Sequence, residues 1–408
     1  MAAAGLLRPT LTLLTGGALA QALPLLLGPW LARLYSPQEF GVYHLFAAVA
    51  ANVAVVACAR YEFALPLAAD ESEAGALRLL CLMLLGGVTL VCVVAAALWA
   101  WIAGALWPAW LPLAVGVLGA VSLATLWATR QQRFPALAVA RVLQHGGGAV
   151  AQTVAGVLHA GVHGLIGATV AAGLAALAVL RLPWGRRVAG RVDQQAIQSA
   201  ARRHREFPLL NTPHAFLGAL QDTVTVALIS AQLGSAAAGA WGLALRYLKA
   251  PATLVGGALS QALYPRLAAG GGRITAESRA TVRQAMLTLA AIATPLVGLL
   301  WAWGPQLFAW AFGERWREAG ELARALALYI GVHFIASPLA VVTMAWQAQA
   351  WALRLALVGQ LAFIVALAIG LQLGSLAAAG WVVSGVTAAY FGWYFWRLAR
   401  WPLSEAAP

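Results

Sequence analysis

The sequence has very little charge. Asp, Glu, Lys and Arg make up 10% of its 408 residues, whereas soluble domains carry about 25%. Acidic residues are the scarcer kind, at 13 against 26 basic ones, and Lys249 is the only lysine. Hydrophobic residues reach 62%, and the mean hydropathy is +0.80. A soluble core cannot hide this much apolar surface, so the composition excludes a soluble enzyme and predicts helices that face lipid.

The chain also lacks the signatures of common enzymes and metalloproteins. It has no Walker A loop, no GxSxG motif and no zinc-ligand cluster. Its three cysteines, Cys58, Cys81 and Cys92, lie in or beside apolar segments without CxxC spacing. This is typical of buried thiols rather than of a disulfide or metal framework. We therefore expect no cofactor.

Long apolar runs recur along the whole chain. Each is close to the roughly 20 residues that a helix needs to cross a bilayer. They predict an all-α polytopic membrane protein with about twelve transmembrane helices. The predicted spans are 10–32, 41–59, 79–100, 111–129, 142–158, 164–180, 208–231, 238–263, 284–303, 322–345, 352–371 and 375–396.

Basic residues lie mostly in the short breaks between these runs. With the N-terminus inside, the inner segments hold 20 arginines and the outer segments hold 4. This bias is what the positive-inside rule requires, and it predicts an inner-membrane protein with both termini in the cytoplasm. The net charge of +13 therefore reflects topology, and we expect no nucleic-acid partner.

The longest inner loop, 181–207, lies near the middle of the chain. It predicts an N-terminal lobe at 1–180 and a C-terminal lobe at 208–408, each with six spans. Within the loop, 192–206 predicts a basic helix on the membrane surface, as a solvated connector or as a binder of anionic lipid headgroups. A weak similarity at an offset of 198 residues, between 40–43 and 238–241, indicates either a direct repeat or chance.

Three charged residues interrupt the seventh and eighth spans. Asp222 and Arg246 each lie 12 residues from the turn at Gly234, or about 18 Å in a helix, so they share a depth and can pair. Lys249 follows Arg246 by three residues and lies on nearly the same helix face. One carboxylate cannot neutralise two cations. The surplus charge predicts a cationic site for an anionic substrate, with a packing-level ion network as the alternative.

Other polar residues near the spans are less informative. Arg60 and Glu62, at the inner end of the second span, either extend the cationic site or lie at the membrane interface. His44 and His333 have no partner at metal-ligand spacing, so we predict buried, hydrogen-bonded residues rather than ligands or a proton relay.

Several phrases of the sequence resemble bacterial O-antigen and capsule flippases. These belong to the multidrug/oligosaccharidyl-lipid/polysaccharide exporter superfamily. In the first half, 16–23, 31–43 and 60–66 carry the resemblance, and its most specific part is Tyr35–Tyr43. In the second half it rests on 206–208, 238–239, Arg246, Pro251 and 264–266.

The resemblance implies two six-helix lobes around a central cavity. It implies alternating access that moves an undecaprenyl-diphosphate-linked glycan from the inner to the outer leaflet, with proton or sodium coupling left open. Arg246 best matches the family's cavity cation by position. The implied partners are the lipid-linked glycan, membrane lipids and other polysaccharide-assembly proteins.

Three other functions are compatible with the spans. A drug/cation antiporter of the same superfamily would favour acidic residues at its site rather than surplus cations. A membrane glycan polymerase or ligase needs a large outer loop for its catalytic charges, and the predicted outer loops are short. A scaffold without transport activity has no reason to bury unbalanced charge.

Overall fold

The computed structural model describes residues 2–180, 194–268 and 273–403, and over these ranges the chain is helical with no β-strand. It divides into two compact units, Met1–Thr223 and Val224–Pro408. The predicted lobe boundaries stay predictions, and 181–193 of the predicted linker lies outside the described residues. The α-helices are α1 (Ala2–Leu34), α2 (Pro37–Val56), α3 (Glu71–Ala103), α4 (Leu111–Arg130), α5 (Phe134–Arg141), α6 (Gly148–Val157), α7 (Gly161–Leu180), α8 (Gln194–Arg203), α9 (Thr212–Ala268), α10 (Ala276–Phe312), α11 (Arg317–Ala325), α12 (Ala327–Ala345), α13 (Gln349–Leu371) and α14 (Leu376–Ala399).

These helices account for every predicted span. Nine helical segments of the described residues are long and apolar enough to cross a membrane, and one of them, Phe207–Gly257, contains most of the seventh and eighth predicted spans together. Helix α1 covers the first predicted span. The fifth is divided between a π-helix at Val142–Gly147, which follows α5, and α6. The predicted all-helical, polytopic fold is confirmed.

Local sequence signals explain where helices begin and bend. Ser36 caps α2: Glu39 donates its backbone N–H to Ser36 Oγ at 3.3 Å, and Ser36 donates its own N–H to Glu39 Oε2 at 2.7 Å. This is a capping box, with Pro37 in the first turn where a missing N–H costs nothing. Helix α9 bends at Gly234, whose φ of 86° is a conformation that favours glycine.

Small residues let helices approach closely inside each unit. A Cβ atom added to Gly173 of α7 would lie 2.5 Å from Val117 of α4. In the second unit, a Cβ atom at Gly320 of α11 would lie 2.6 Å from the carbonyl oxygen of Gly304 in α10. Membrane helices use small residues in this way because lipid supplies no hydrophobic drive for helix association.

Large apolar side chains also cover the outside of the helices. On α3, Leu90, Val94 and Trp101 are mostly exposed, and Trp101 reaches 81%. A soluble protein rarely exposes apolar surface so continuously. Lipid contact explains these faces, and the chain is a multi-pass membrane protein.

Helix α8 packs against the beginning of α3. Glu73 of α3 accepts from His204, just past α8, at 3.2 Å, and forms an ion pair with Arg203 at 3.4 Å. Tyr61 donates from its hydroxyl to the carbonyl oxygen of Ala201 at 3.1 Å. The described part of the predicted surface helix is therefore anchored to the first unit at several points.

Candidate functional site

The predicted cavity cations of the second unit lie on α9, beyond the bend at Gly234. Arg246 and Lys249 are both half-buried. Trp241 and Ala244, about one turn before them, are almost completely buried. The packing of these buried residues therefore fixes the part of α9 that carries the two cations. Both cations keep part of their surface exposed in the structure.

Lys249 lies close enough to His333 of α12 for their charges to interact. His333 stacks on Tyr329, with ring centroids 5.7 Å apart and planes at 27°. Tyr329 in turn packs against Phe363 of α13 at 5.8 Å, and Phe363 packs against Trp241 at 6.3 Å. We call this group of Trp241, Tyr329, His333 and Phe363 the aromatic cluster. The sequence predicts a buried, hydrogen-bonded residue at His333 and does not connect it with Lys249, because the two lie far apart in the chain.

Asp222 is exposed on the part of α9 that precedes Gly234. It belongs to the first compact unit, whereas Arg246 and Lys249 belong to the second. The predicted pairing of Asp222 with Arg246 therefore stays a prediction.

Arg60 and Glu62 lie on a tight turn in the first unit. Ala59 and Arg60 have positive φ values of 47° and 60°, which is unusual for residues with side chains. The turn leads into a short 3₁₀ helix, Tyr61–Leu67, and places Glu62 inside the unit at 2% exposure. The Arg60 guanidinium lies 4.1 Å from the centre of the Phe63 ring. The structure thus buries the Glu62 carboxyl inside the unit, and the two interpretations left open by the sequence, an extended cationic site and an interfacial location, stay predictions.

Glu62 lies in an environment that disfavours its charged form. Burial raises the pKa of its carboxyl above the usual range, and the nearby Arg60 charge opposes this rise. Within the described residues, Glu62 Oε2 and Arg60 Nε are both buried without a hydrogen-bond partner. Buried polar atoms normally find a partner, so this pair calls for an explanation.

Arg130 at the end of α4 fixes the segment that follows this turn. Its guanidinium donates to the carbonyl oxygens of Leu65 at 3.1 Å, Ala68 at 2.8 Å and Asp70 at 3.2 Å. It also pairs with Glu71 at 3.1 Å. The sequence indicated Arg130 only as one of the inner-side arginines, because backbone acceptors leave no pattern in a sequence.

A hydrogen-bonded cluster in the first unit uses the two tyrosines of the Tyr35–Tyr43 phrase. Gln152 of α6 donates to the hydroxyl oxygens of Tyr43 and Thr169, both at 3.1 Å. Tyr35 donates to the carbonyl oxygen of Gln152 at 2.8 Å. This cluster joins α2, α6 and α7, and so part of the most specific phrase in the sequence has a packing role.

Solved structures with similar folds are transporters and a flippase. An inward-facing multidrug resistance MATE family transporter of the MOP superfamily has a TM-score of 0.67 and 14% identity, with 93% of this chain and 94% of the other covered. The lipid II flippase MurJ, in an inward closed conformation, has a TM-score of 0.59 and 10% identity, with 94% and 89% covered. A point mutant of the Vibrio cholerae MATE transporter VcmN has a TM-score of 0.51 and 14% identity, with 96% and 95% covered. No curated protein matches the sequence significantly.

The fold thus defines the class: a multi-pass membrane protein with a transporter fold, and not an enzyme fold. The family model for polysaccharide biosynthesis proteins matches residues 30–321, well over half of the chain. The chain belongs to this family. The resemblance found in the sequence is confirmed, while the individual site residues stay predictions.

Proposed function

We propose that the chain is a flippase for a lipid-linked glycan. It would move an undecaprenyl-diphosphate-linked glycan from the inner to the outer leaflet by alternating access. The observation that carries this proposal is the half-buried pair of cations, Arg246 and Lys249, on one helix of a transporter fold in the polysaccharide biosynthesis family.

The two cations suit a diphosphate. A guanidinium makes planar, two-point hydrogen bonds to phosphate oxygens, and an ammonium adds a compact charge beside it. Because both side chains are half-buried, their attraction for an anion is screened less than it would be at an open surface. The polyprenyl tail would remain in the bilayer, so the site needs to neutralise only the headgroup.

A drug/cation antiporter is the second candidate. The first MATE relative is described as a multidrug resistance transporter, and this is the observation that favours it. Against it stands the positive charge of Arg246 and Lys249. A glycan polymerase or ligase has no counterpart among the relatives described above.

Export measured per inserted copy tests the flippase proposal. In cells that lack their own copy, we expect Arg246→Ala to be inserted normally and to abolish surface glycan. Arg246→Lys should restore part of it, because an ammonium cannot make the two-point hydrogen bond. Arg354→Ala, at an exposed arginine near the start of α13, is the matched control and should export normally.

A double variant separates binding from charge balance. If Arg246 only balances Asp222, then removing it strands a carboxylate and reduces insertion. In that case Asp222→Asn/Arg246→Gln would recover both abundance and export, and Arg246 would not be a substrate-binding residue. Full export by the double variant contradicts the proposed site.

The proposed setting is the bacterial inner membrane, with both termini in the cytoplasm and other polysaccharide-assembly proteins as partners. Reporter fusions at Pro408 and within 181–207 should both report the cytoplasm. A fusion near Gly161 should report the outside. An external signal from Pro408 would contradict this topology.

A further inference from the structure

Two thiols and a carboxylate converge inside the first unit. Cys58 lies in the turn after α2, Glu62 in the short 3₁₀ helix and Cys81 on α3. One potential ligand atom from each lies within 4.8 Å of the other two. All three residues are buried, at 2%, 2% and 0% exposure. No spacing in the sequence indicates this group, because its members lie on three separate elements.

We propose that Cys58, Glu62 and Cys81 bind one divalent transition-metal ion, with zinc as the best chemical match. Thiolates select zinc and other soft or borderline metals, whereas calcium and magnesium take oxygen ligands. Three protein ligands leave the fourth position of a tetrahedral ion for a water molecule. This proposal does not depend on the proposed flippase function.

The distances fit such an ion if the three side chains move slightly closer together. In a tetrahedral site with zinc–sulfur bonds of about 2.3 Å, neighbouring ligand atoms lie about 3.8 Å apart. The atoms here lie within 4.8 Å of one another, so the side chains need to close by about 1 Å at most. The positive φ values at Ala59 and Arg60 turn the chain between Cys58 and Glu62 and bring these two side chains to the same place.

The charges also balance. Two thiolates and a carboxylate carry three negative charges, and a divalent ion leaves one of them uncompensated. Arg60 interacts electrostatically with Glu62 and supplies the remaining positive charge. A monovalent ion would leave a net negative charge inside the unit, which is costly in a dry interior.

The hydrogen bonds among these three residues leave ligand atoms that could still bind an ion. The Cys58 thiol donates weakly to the carbonyl oxygen of Cys81 at 3.6 Å. Glu62 Oε2 is buried and has no hydrogen-bond partner within the described ranges. A metal ion would satisfy this oxygen and would join the end of α2, the 3₁₀ helix and α3 at one point. Since the ligands must lose protons to bind, the affinity should fall as the pH is lowered.

Cobalt titration of the full-length, reduced and chelator-treated protein in detergent tests this proposal. We expect one equivalent of Co²⁺ to produce thiolate-to-cobalt charge-transfer absorption together with the visible bands of a tetrahedral ion. Zinc should displace the cobalt. A wild-type protein that gives no such spectrum, or only the weak bands of octahedral cobalt, would overturn the proposal whether or not any variant folds.

Variants then locate the site. Cys58→Ser, Cys81→Ser and Glu62→Gln should each remove the tetrahedral spectrum, while Arg60→Gln should weaken binding by about 10–100-fold, as loss of a supporting residue typically does. Cys92→Ser is the matched control, since Cys92 is also buried on α3 but lies outside the group. Equal loss of binding in Cys92→Ser and Cys81→Ser would contradict the assignment.

Discussion

The hydrogen-bonded groups of the first unit and the two half-buried cations of the second have different surroundings. In the first, polar side chains have several fixed partners: Arg130 donates to three carbonyl oxygens, and Gln152 joins three elements. In the second, Arg246 and Lys249 extend from one continuous stretch of α9 to half-buried positions, with the aromatic cluster beside Lys249. Several hydrogen bonds stabilise a structure, whereas partial burial strengthens the attraction of a cation for an anion. The first unit thus shows polar groups that hold the fold, and the two cations of the second are the residues to which the proposed function assigns binding.

The largest loss of stability should come from Arg130→Gln. This change leaves the carbonyl oxygens of Leu65, Ala68 and Asp70 without their charged donor, and we expect a loss of about 2–4 kcal/mol in the free energy of unfolding. Thermal unfolding of the purified protein measures it. Arg354→Gln, at an exposed arginine, should change little; equal losses in both variants would remove the contrast drawn for the first unit.

A somewhat smaller loss is expected for Gln152→Leu. The substitution keeps the approximate volume but leaves the hydroxyls of Tyr43 and Thr169 without their amide donor, at a cost of about 2 kcal/mol. Thermal unfolding again reports the change, with Gln198→Leu on the exposed face of α8 as the control. Export per inserted copy should remain normal. A selective loss of export at normal stability would show that this cluster takes part in transport.

Lys249→Gln should reduce export without reducing stability, unlike the two variants of the first unit. We expect normal insertion and stability but about tenfold less export per copy, equivalent to about 1.4 kcal/mol of lost substrate attraction. Lys249→Arg should keep most of the activity because it keeps the charge. His333→Phe, which retains a ring to stack on Tyr329, should have a weaker effect than Lys249→Gln. Normal export by Lys249→Gln would make Lys249 a packing residue like those of the first unit.

The smallest expected effect is on the pH dependence of stability, and it comes from Glu62 in the metal-free protein. Because burial raises its pKa in the folded state, the neutral carboxyl favours folding, and this contribution is lost as the pH rises through the raised pKa. Glu62→Gln should remain neutral and therefore lose less stability between mildly acidic and alkaline pH than the wild type does. Melting temperatures across this range, with Glu277→Gln on α10 as an exposed control, measure the difference. A wild-type curve as flat as that of Glu62→Gln would contradict the effect of burial.

The spans could be predicted from the sequence because their cause is local: apolar runs of membrane length predict helices. The capping pair of Ser36 and Glu39 is equally local, but it was observed only in the structure. Glu62 was harder. Its position at the inner end of the second span left open an extension of the cationic site and an interfacial location. The burial of its carboxyl follows from the turn at Ala59 and Arg60, which the sequence does not predict.

The sequence by itself determined that this chain is a membrane protein, because hydropathy and charge bias are properties of short stretches and need no knowledge of packing. It also determined that cations, rather than acids, interrupt the eighth span. Only the tertiary structure decided which distant side chains come near one another: Lys249 near enough to His333 for an electrostatic interaction, and Cys58 and Glu62 close to Cys81. These proximities depend on the rotation and spacing of packed helices, which a linear pattern of residues does not show. The sequence locates each of these residues separately, and only the folded protein shows which neighbours determine their chemical properties.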